Sequence, residues 1–105
     1  MTYSEKKLAK QIQIEKDNQY LLKQLFKLQA NKTDILIRLK DFQIKYPRKG
    51  KQDPIHLTRL VKILGIRRRA IFLLEDKEFI QFIFPWDNRM YDCRIVIRFI
   101  KSLPD

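Results

Sequence analysis

Apolar residues recur along the first half of the chain at the spacing of helices. Between residues 18 and 44 the intervals alternate between four and three, which places the apolar side chains on one helical face: Leu21, Leu25, Leu28, Ile35, Leu39 and Phe42. Lys32 alone interrupts this series. The polar run Asn31–Asp34 would suit a turn between two shorter helices, but the series resumes in phase after it. The pattern therefore predicts one helix over 18–44.

A separate helix is expected before that segment. Thr2 is followed three residues later by Glu5, which is the pattern of a capping box at a helix start. Asp17 and Asn18 are both residue types that cap helices well, so they favour a bend between two helices. The first helix is thus predicted over 3–16.

The second half of the chain begins with a basic loop over 45–52, which holds a proline and a glycine. Asp53–Pro54 suits a helix start, because Asp accepts bonds from free amides and Pro at the first helical position loses only an unpartnered one. A third helix is predicted over 54–75 from a further apolar series: Leu57, Leu60, Val61, Leu64, Ile71 and Leu74.

The last third of the chain is less regular. A short fourth helix is predicted over 78–84, stopped by Pro85 and followed by a turn over 86–89. Residues 93–100 alternate partly in the manner of a strand, but a lone strand has no partner among helices. We therefore predict a helix over 93–100 as well.

These elements predict an all-α fold, an antiparallel bundle of about four helices with an additional C-terminal segment. At 105 residues the chain is long enough for one core and too short for two. We expect a four-helix domain over 1–85 and a C-terminal extension over 86–105. A small bundle has limited room for the apolar residues of that extension, so a neighbouring protein is expected to cover part of it.

The net charge narrows the classes of partner that this protein can have. The chain carries 23 Lys and Arg against 12 Asp and Glu, a formal net charge of +11. Self-repulsion on this scale destabilises a small protein unless an anionic partner offsets it. RNA, DNA and an anionic membrane surface are partners of this kind. No stretch approaches the roughly 18 to 20 apolar residues of a membrane-spanning helix, and we expect no membrane partner.

Residues that enzyme chemistry usually requires are scarce. Cys93 is the single cysteine and His56 the single histidine. The sequence therefore has no disulfide framework, no zinc quartet and no nucleophile with a histidine base nearby. A glycine-rich phosphate loop is absent as well. We predict a binding protein that is not an enzyme and that uses no cofactor, metal or small-molecule substrate.

The strongest local feature is the basic triplet Arg67–Arg69 inside an apolar segment. The planar guanidinium group forms paired, charge-assisted hydrogen bonds with phosphate. A plainer interpretation is that these arginines solvate the helix or pair with the acidic residues Glu75, Asp76 and Glu78. Exposed pairs of that kind stabilise a fold by about 1 kcal/mol at most, so three adjacent arginines favour phosphate binding.

The segment Leu60–Leu74 resembles the third helix of the small-subunit ribosomal protein S-fifteen family, in which an apolar stretch, a glycine, a basic triplet and paired apolar residues follow one another. The resemblance covers roughly residues 17–84. Asp53 lies where the family has the Asp of its His- and Ser-rich turn, and 17–42 matches the second helix in length. Several other positions carry the family's residue or a similar type: Gln24, Leu25, Leu28, Ile35, Leu39 and Lys40.

The chain also departs from this family. Phe42 replaces the turn histidine, His56 replaces the turn serine, and Leu73 replaces the usual tyrosine after the triplet. Extra residues near 44–51 lengthen the turn, so the family's contacts with a helical RNA groove do not transfer intact. This divergence favours an organellar ribosome, with a mitochondrial one expected and a plastid or bacterial one as alternatives.

The resemblance implies a structural constituent of the small ribosomal subunit that binds and orients ribosomal RNA helices during assembly. The implied partners are that RNA and neighbouring ribosomal proteins, the latter through the C-terminal segment. Together, the basic residues and the resemblance select the candidate RNA-binding residues: Gln24, Lys45, Arg48, Lys49, Lys51, Asp53, His56, Arg67, Arg68 and Arg69.

Two other functions stay open. The first is a helical DNA-binding regulator that uses the helix over 54–75 for recognition, which requires a compact helix-turn-helix and usually a dimer. The long basic connector over 45–52 argues against a tight turn before that helix. The second is a basic scaffold protein that binds an acidic protein or a membrane surface.

Overall fold

A computed structural model describes residues 2–47, 53–84 and 89–104. Within these ranges five helices and three short strands follow one another: α1 (Tyr3–Ala30), α2 (Lys32–Lys45), β1 (Pro54–His56), α3 (Leu57–Leu64), α4 (Arg68–Asp76), β2 (Phe82–Phe84), β3 (Met90–Asp92) and α5 (Cys93–Ser102). The chain is mostly helical, as predicted, but it includes a small sheet and is not a clean four-helix bundle. Among the described residues, none of the helices combines the length and the apolar character of a membrane-spanning segment.

Helix α1 begins as predicted and is longer than predicted. The Thr2 hydroxyl accepts a hydrogen bond from the Glu5 amide at 3.3 Å, and the Glu5 carboxylate accepts one from the Thr2 amide at 3.1 Å. The capping box is therefore confirmed. The bend predicted at Asp17–Asn18 is wrong. The Asp17 carboxylate is bound by the side chains of Gln13 and Arg69, so it does not compete for backbone amides as a cap would.

A single residue, Asn31, separates α1 from α2, so the continuous helix predicted over 18–44 is wrong. Asn31 has a φ of −108° and a ψ of 16°, and its side-chain amide donates to the Lys27 carbonyl at 3.0 Å. Such local bonds let Asn compete with the helical ladder. The apolar series nevertheless crosses the break in phase, because Leu28 and Ile35 are both buried in the same core.

The helix predicted over 54–75 is replaced by a strand and two helices. Residues 54–56 are extended because they pair antiparallel with β3, with Ile55 opposite Tyr91. Asp53 is therefore not the N-cap. His56 caps α3 instead, and its Nδ1 atom accepts a hydrogen bond from the Thr58 amide at 3.1 Å. Helix α3 ends at Leu64, and the next residue, Gly65, caps it with a φ of 66°.

The sheet has the strand order β1-β3-β2, and both pairs are antiparallel. The helix predicted over 78–84 is wrong, because Glu78 takes a left-handed conformation with a φ of 63° and 82–84 then pair with β3. The helix predicted over 93–100 is confirmed as α5. The Asp92 carboxylate caps it by accepting a hydrogen bond from the Arg94 amide at 3.0 Å.

One core joins the helices and the sheet. Helix α5 packs against α2, and Val96 and Ile100 are buried in the same cluster as Ile35 and Leu39. Lys32 adds a polar link, since its ammonium group donates to the Leu103 carbonyl at 2.7 Å. The domain boundary predicted at residue 85 falls outside the described residues, and side chains from both sides of it contribute to this core.

Candidate nucleic-acid interface

Helices α3 and α4 form a helix-turn-helix. The turn has three residues, of which Gly65 takes the left-handed conformation that an L side chain rarely adopts. Ile66 is buried and anchors the turn in the core. In α4 the small residue Ala70 is fully buried beside Ile71, and α4 packs against α3. The unit thus has the short, glycine-containing turn expected of this motif, and it lies inside the segment predicted as one helix.

Helix α4 buries one face and presents the other. Ala70, Ile71 and Leu74 are fully buried. At about 100° per residue the opposite face carries the exposed residues Arg68, Arg69 and Asp76 and the half-buried Phe72. Arg67 is exposed just before the first turn of this helix. The predicted basic triplet therefore lies at the amino end of a separate helix, where the helix dipole also favours anions.

Arg69 connects the exposed face of α4 to α1. Its Nη2 atom lies 2.7 Å from Oδ1 of Asp17, and its guanidinium carbon lies 4.7 Å from the centroid of the Tyr20 ring. Arg69 therefore pairs with an acid of α1 and not with Glu75, Asp76 or Glu78, the acidic neighbours considered from the sequence. One member of the triplet thus serves partly to attach α4 to α1.

The side of the face nearest the sheet carries Arg89, which lies just before β3. Its guanidinium carbon is 4.5 Å from the centroid of the Phe72 ring and 5.6 Å from that of Phe82. Its carbonyl accepts a hydrogen bond from the Leu57 amide at 2.8 Å, which fixes its backbone at the start of α3. Sequence reasoning did not select Arg89 as a site residue, because its approach to α4 depends on the pairing of β2 with β3.

A groove beside the turn brings together two of the predicted site residues. The groove has a volume of about 430 Å³ and is lined by Gln24 and Lys27 from α1 and by Gly65 and Arg67 from the turn. Lys27 was not selected from the sequence either. Its position becomes significant only when α1 packs against the helix-turn-helix.

The other predicted residues lie elsewhere. Lys45 is exposed at the end of α2 and lines a second groove, of about 290 Å³, between α2 and α3. His56 is exposed as the cap of α3. Asp53 is buried, and its carboxylate accepts a hydrogen bond from the Gln43 side chain at 2.6 Å. The other three residues lie outside the described ranges: Arg48, Lys49 and Lys51.

Two acidic groups near the sheet, the Glu75 carboxyl and the Cys93 thiol, have raised pKa values. Burial raises the pKa of Glu75, the charge of Asp76 adds to the effect, and Arg89 and the Tyr91 hydroxyl oppose it. Burial and the neighbouring carboxylates of Asp53 and Asp92 raise the pKa of the Cys93 thiol to about 12. The thiol is therefore protonated near neutral pH, which makes it a poor nucleophile.

The basic cluster on α4 has the chemistry of a phosphate-binding surface. Guanidinium and ammonium groups from α1, the turn, α4 and the start of β3 lie around α4 and the turn before it: Lys27, Arg67, Arg68, Arg69 and Arg89. In the part of the chain that the structure describes, no group of three or more His, Cys, Asp and Glu side chains is arranged to hold a metal ion. Comparisons of the chain with models of known protein families, with curated proteins and with solved structures give no match.

Proposed function

We propose that this protein binds double-stranded DNA and that α4 is its recognition helix. The observation that carries the proposal is the left-handed Gly65, which separates the basic triplet from α3 and places it at the start of a new, exposed helix. In helix-turn-helix proteins the second helix enters the major groove, and its amino-terminal residues contact base edges. The assignment of this role to α4 rests on analogy with that motif.

Arg68 is the best candidate for a base contact. It is exposed on the outward face of α4, and its side chain makes no hydrogen bond, ion pair or ring contact with any other described residue. A free arginine of this kind can form two parallel hydrogen bonds with guanine in the major groove. Arg67, Lys27 and Arg89 flank it and are suited to phosphate contacts that set the orientation of the protein.

Binding to ribosomal RNA, with the mitochondrial ribosome as its place of action, is the second proposal and rests on the sequence resemblance. That resemblance runs through Leu60–Leu74, where the structure has two helices and a turn. The major groove of A-form RNA is too narrow for side chains to read it, so insertion of α4 into a major groove suits DNA better. The geometry therefore favours DNA.

The proposal is tested by selecting duplexes from a random DNA pool and measuring the affinity of the selected duplex by fluorescence anisotropy. A multi-helix RNA junction with the same number of phosphates is measured beside it. We expect tighter binding to the selected DNA, with an affinity that falls steeply with salt as counterions are released. If the protein bound the junction more tightly than every selected duplex, the ribosomal proposal would replace this one.

The variant Arg68→Ala tests the role of the recognition helix. Loss of a bidentate base contact costs about 1 to 3 kcal/mol, which corresponds to roughly a fivefold to 150-fold weaker complex and relaxed preference at one base pair. Arg98→Ala is the matched control, because Arg98 is exposed on α5 and its removal changes the net charge equally. Equal losses in the two variants would show that only total charge matters and would contradict the assignment of α4.

A further inference from the structure

Helix α1 carries two apolar stripes, and only one of them is covered. Leu21 and Leu28 belong to the first stripe and are buried in the core. The second stripe, which we call the outer seam, consists of Leu8, Ile12, Leu22 and Phe26, with exposed fractions of 59%, 45%, 51% and 60%. At 100° per residue its centre lies about 150° around the helix from the buried stripe. The outer seam therefore faces away from the body of the protein.

The outer seam has the spacing of a coiled-coil interface. Its four apolar residues and the intervening Glu15 and Gln19 are separated alternately by four and three residues, which is the a/d pattern of paired helices. The seam spans roughly 27 Å along the helix axis. Glu15 and Gln19 are exposed, and neither side chain makes a hydrogen bond or ion pair with another described residue. An apolar row of this length left in water is typical of a partner site.

We propose that the outer seam pairs antiparallel with the same seam of a second copy of this chain. The order of residues is symmetric about the level of Asp17, so antiparallel helices centred there place Leu8 opposite Phe26 and Ile12 opposite Leu22 at each end. In the middle, Glu15 of each copy is opposite Gln19 of the other, where the amide group donates to the carboxylate. The interface is self-complementary, as a two-fold dimer requires.

The charge of Glu15 selects this direction. In a parallel, in-register pair the two Glu15 carboxylates would face each other inside the seam, and like charges at such a position destabilise the pair. Antiparallel pairing replaces that repulsion with a hydrogen bond between unlike groups. Glu15 and Gln19 at the centre of the outer seam therefore specify one orientation. Burial of the apolar residues at its two ends stabilises the dimer.

The rest of the structure is compatible with this dimer. Helix α4 contacts α1 through Asp17 and Tyr20, which lie on the other side of the helix from the outer seam. The two cores and the two α4 helices then lie on the outside of the central helix pair and stay accessible. The pairing does not depend on the proposed DNA function, because it follows from the surface of α1 alone.

Sedimentation velocity of the full-length protein over a range of concentrations tests the association. We expect a dimer that dissociates on dilution, and we expect Leu22→Gln with Phe26→Gln to abolish it. The matched control is Ile37→Gln, because Ile37 is 55% exposed on α2 and lies outside the seam. Circular dichroism checks that each variant folds, which is expected because the altered side chains are exposed. A wild-type monomer at every concentration, or equal loss of the dimer in the control, would overturn the proposal.

Cysteine cross-linking tests the direction. The native Cys93 is buried and stays in place. We expect a mixture of Leu8→Cys and Phe26→Cys proteins to form the mixed disulfide at least tenfold faster than either variant alone forms its own. Adding Glu15→Gln to both should allow parallel links between like positions to appear. Fast cross-linking of Leu8→Cys by itself would show a parallel pair, and an unchanged pattern with Glu15→Gln would refute the role assigned to that charge.

Discussion

Asp17 of α1 and Arg69 of α4 are 52 residues apart in the sequence, and their side chains meet with 2.7 Å between Oδ1 and Nη2. The same guanidinium group lies over the Tyr20 ring. This contact connects the long helix that carries the outer seam to the helix that carries the basic triplet. It also neutralises one of the arginines that would otherwise be available to phosphate.

Replacement of Asp17 by Asn is therefore expected to increase DNA affinity. The two side chains of the pair are 58% and 29% exposed, so its loss lowers the free energy of unfolding by less than about 1 kcal/mol. Arg69 becomes free for a phosphate, and the slope of log affinity against log salt should steepen by about one. Asp41→Asn on α2 is the control with the same change of charge, and anisotropy titrations in several salt concentrations supply the measurement. An equal gain in the control would refute the prediction.

Gly65→Ala is expected to destabilise the fold through the backbone alone. Gly65 has a φ of 66°, and no heavy atom lies within 4 Å of the position that a Cβ atom would take. The left-handed conformation costs an L residue about 1 to 2 kcal/mol, and Asn tolerates it better. Urea unfolding should therefore rank the wild type above Gly65→Asn and that variant above Gly65→Ala. A loss well above about 3 kcal/mol would point to a steric clash that the structure does not contain.

Asp53→Ala separates a structural role from a role in RNA binding. Asp53 is 2% exposed, and its carboxylate accepts the Gln43 side-chain amide at 2.6 Å. Its removal leaves a part-buried donor without that acceptor, so the free energy of unfolding should fall by about 1 to 3 kcal/mol. Nucleic-acid affinity should stay within twofold of the wild type when measured under conditions where the variant is folded. A selective loss of affinity at unchanged stability would instead support the contact expected from the sequence.

Glu75 should make stability depend on pH in the direction opposite to most carboxylates. Its pKa is raised by burial, so the unfolded chain loses this proton first as pH rises. Stability is then lost from about pH 4.3, the ordinary value for Glu, up through the raised pKa of the folded protein. Glu75→Gln keeps an acceptor for the Tyr91 hydroxyl and avoids this loss.

The variant Glu75→Gln should therefore match the wild type near pH 3.5 and exceed it at pH 7. The gain stays below about 1 kcal/mol because the side chain is partly exposed. Urea unfolding at the two pH values gives the comparison, and Asp41→Asn reports the effect of net charge alone. A variant that is less stable than the wild type at pH 7 would show that attraction to Arg89 outweighs desolvation.

Several elements were determined by the sequence alone because their causes are local. The capping box of Thr2 and Glu5 and the helical content follow from residues within four positions of each other. The apolar series that includes Leu28 and Leu39 identified core residues, even though it predicted one continuous helix where the structure has two. Helix α5 was also predicted, although the argument that a strand would lack a partner is wrong, because β1, β2 and β3 form a sheet. Its local cause is the cap that Asp92 supplies at its start.

Only the tertiary structure decided the elements whose stabilising contacts lie far away in sequence. Residues 54–56 are extended because β3 supplies hydrogen bonds to them, and without that strand Asp53–Pro54 is a good helix start. The separation of α3 from α4 depends on the left-handed conformation of Gly65. The sequence alone does not require that conformation, because a helix interior also tolerates a glycine at modest cost. Asp17, Lys27 and Arg89 joined the candidate site in the same way. Strand pairing and charge pairing draw their energy from contacts that exist only after folding, so local patterns do not encode them.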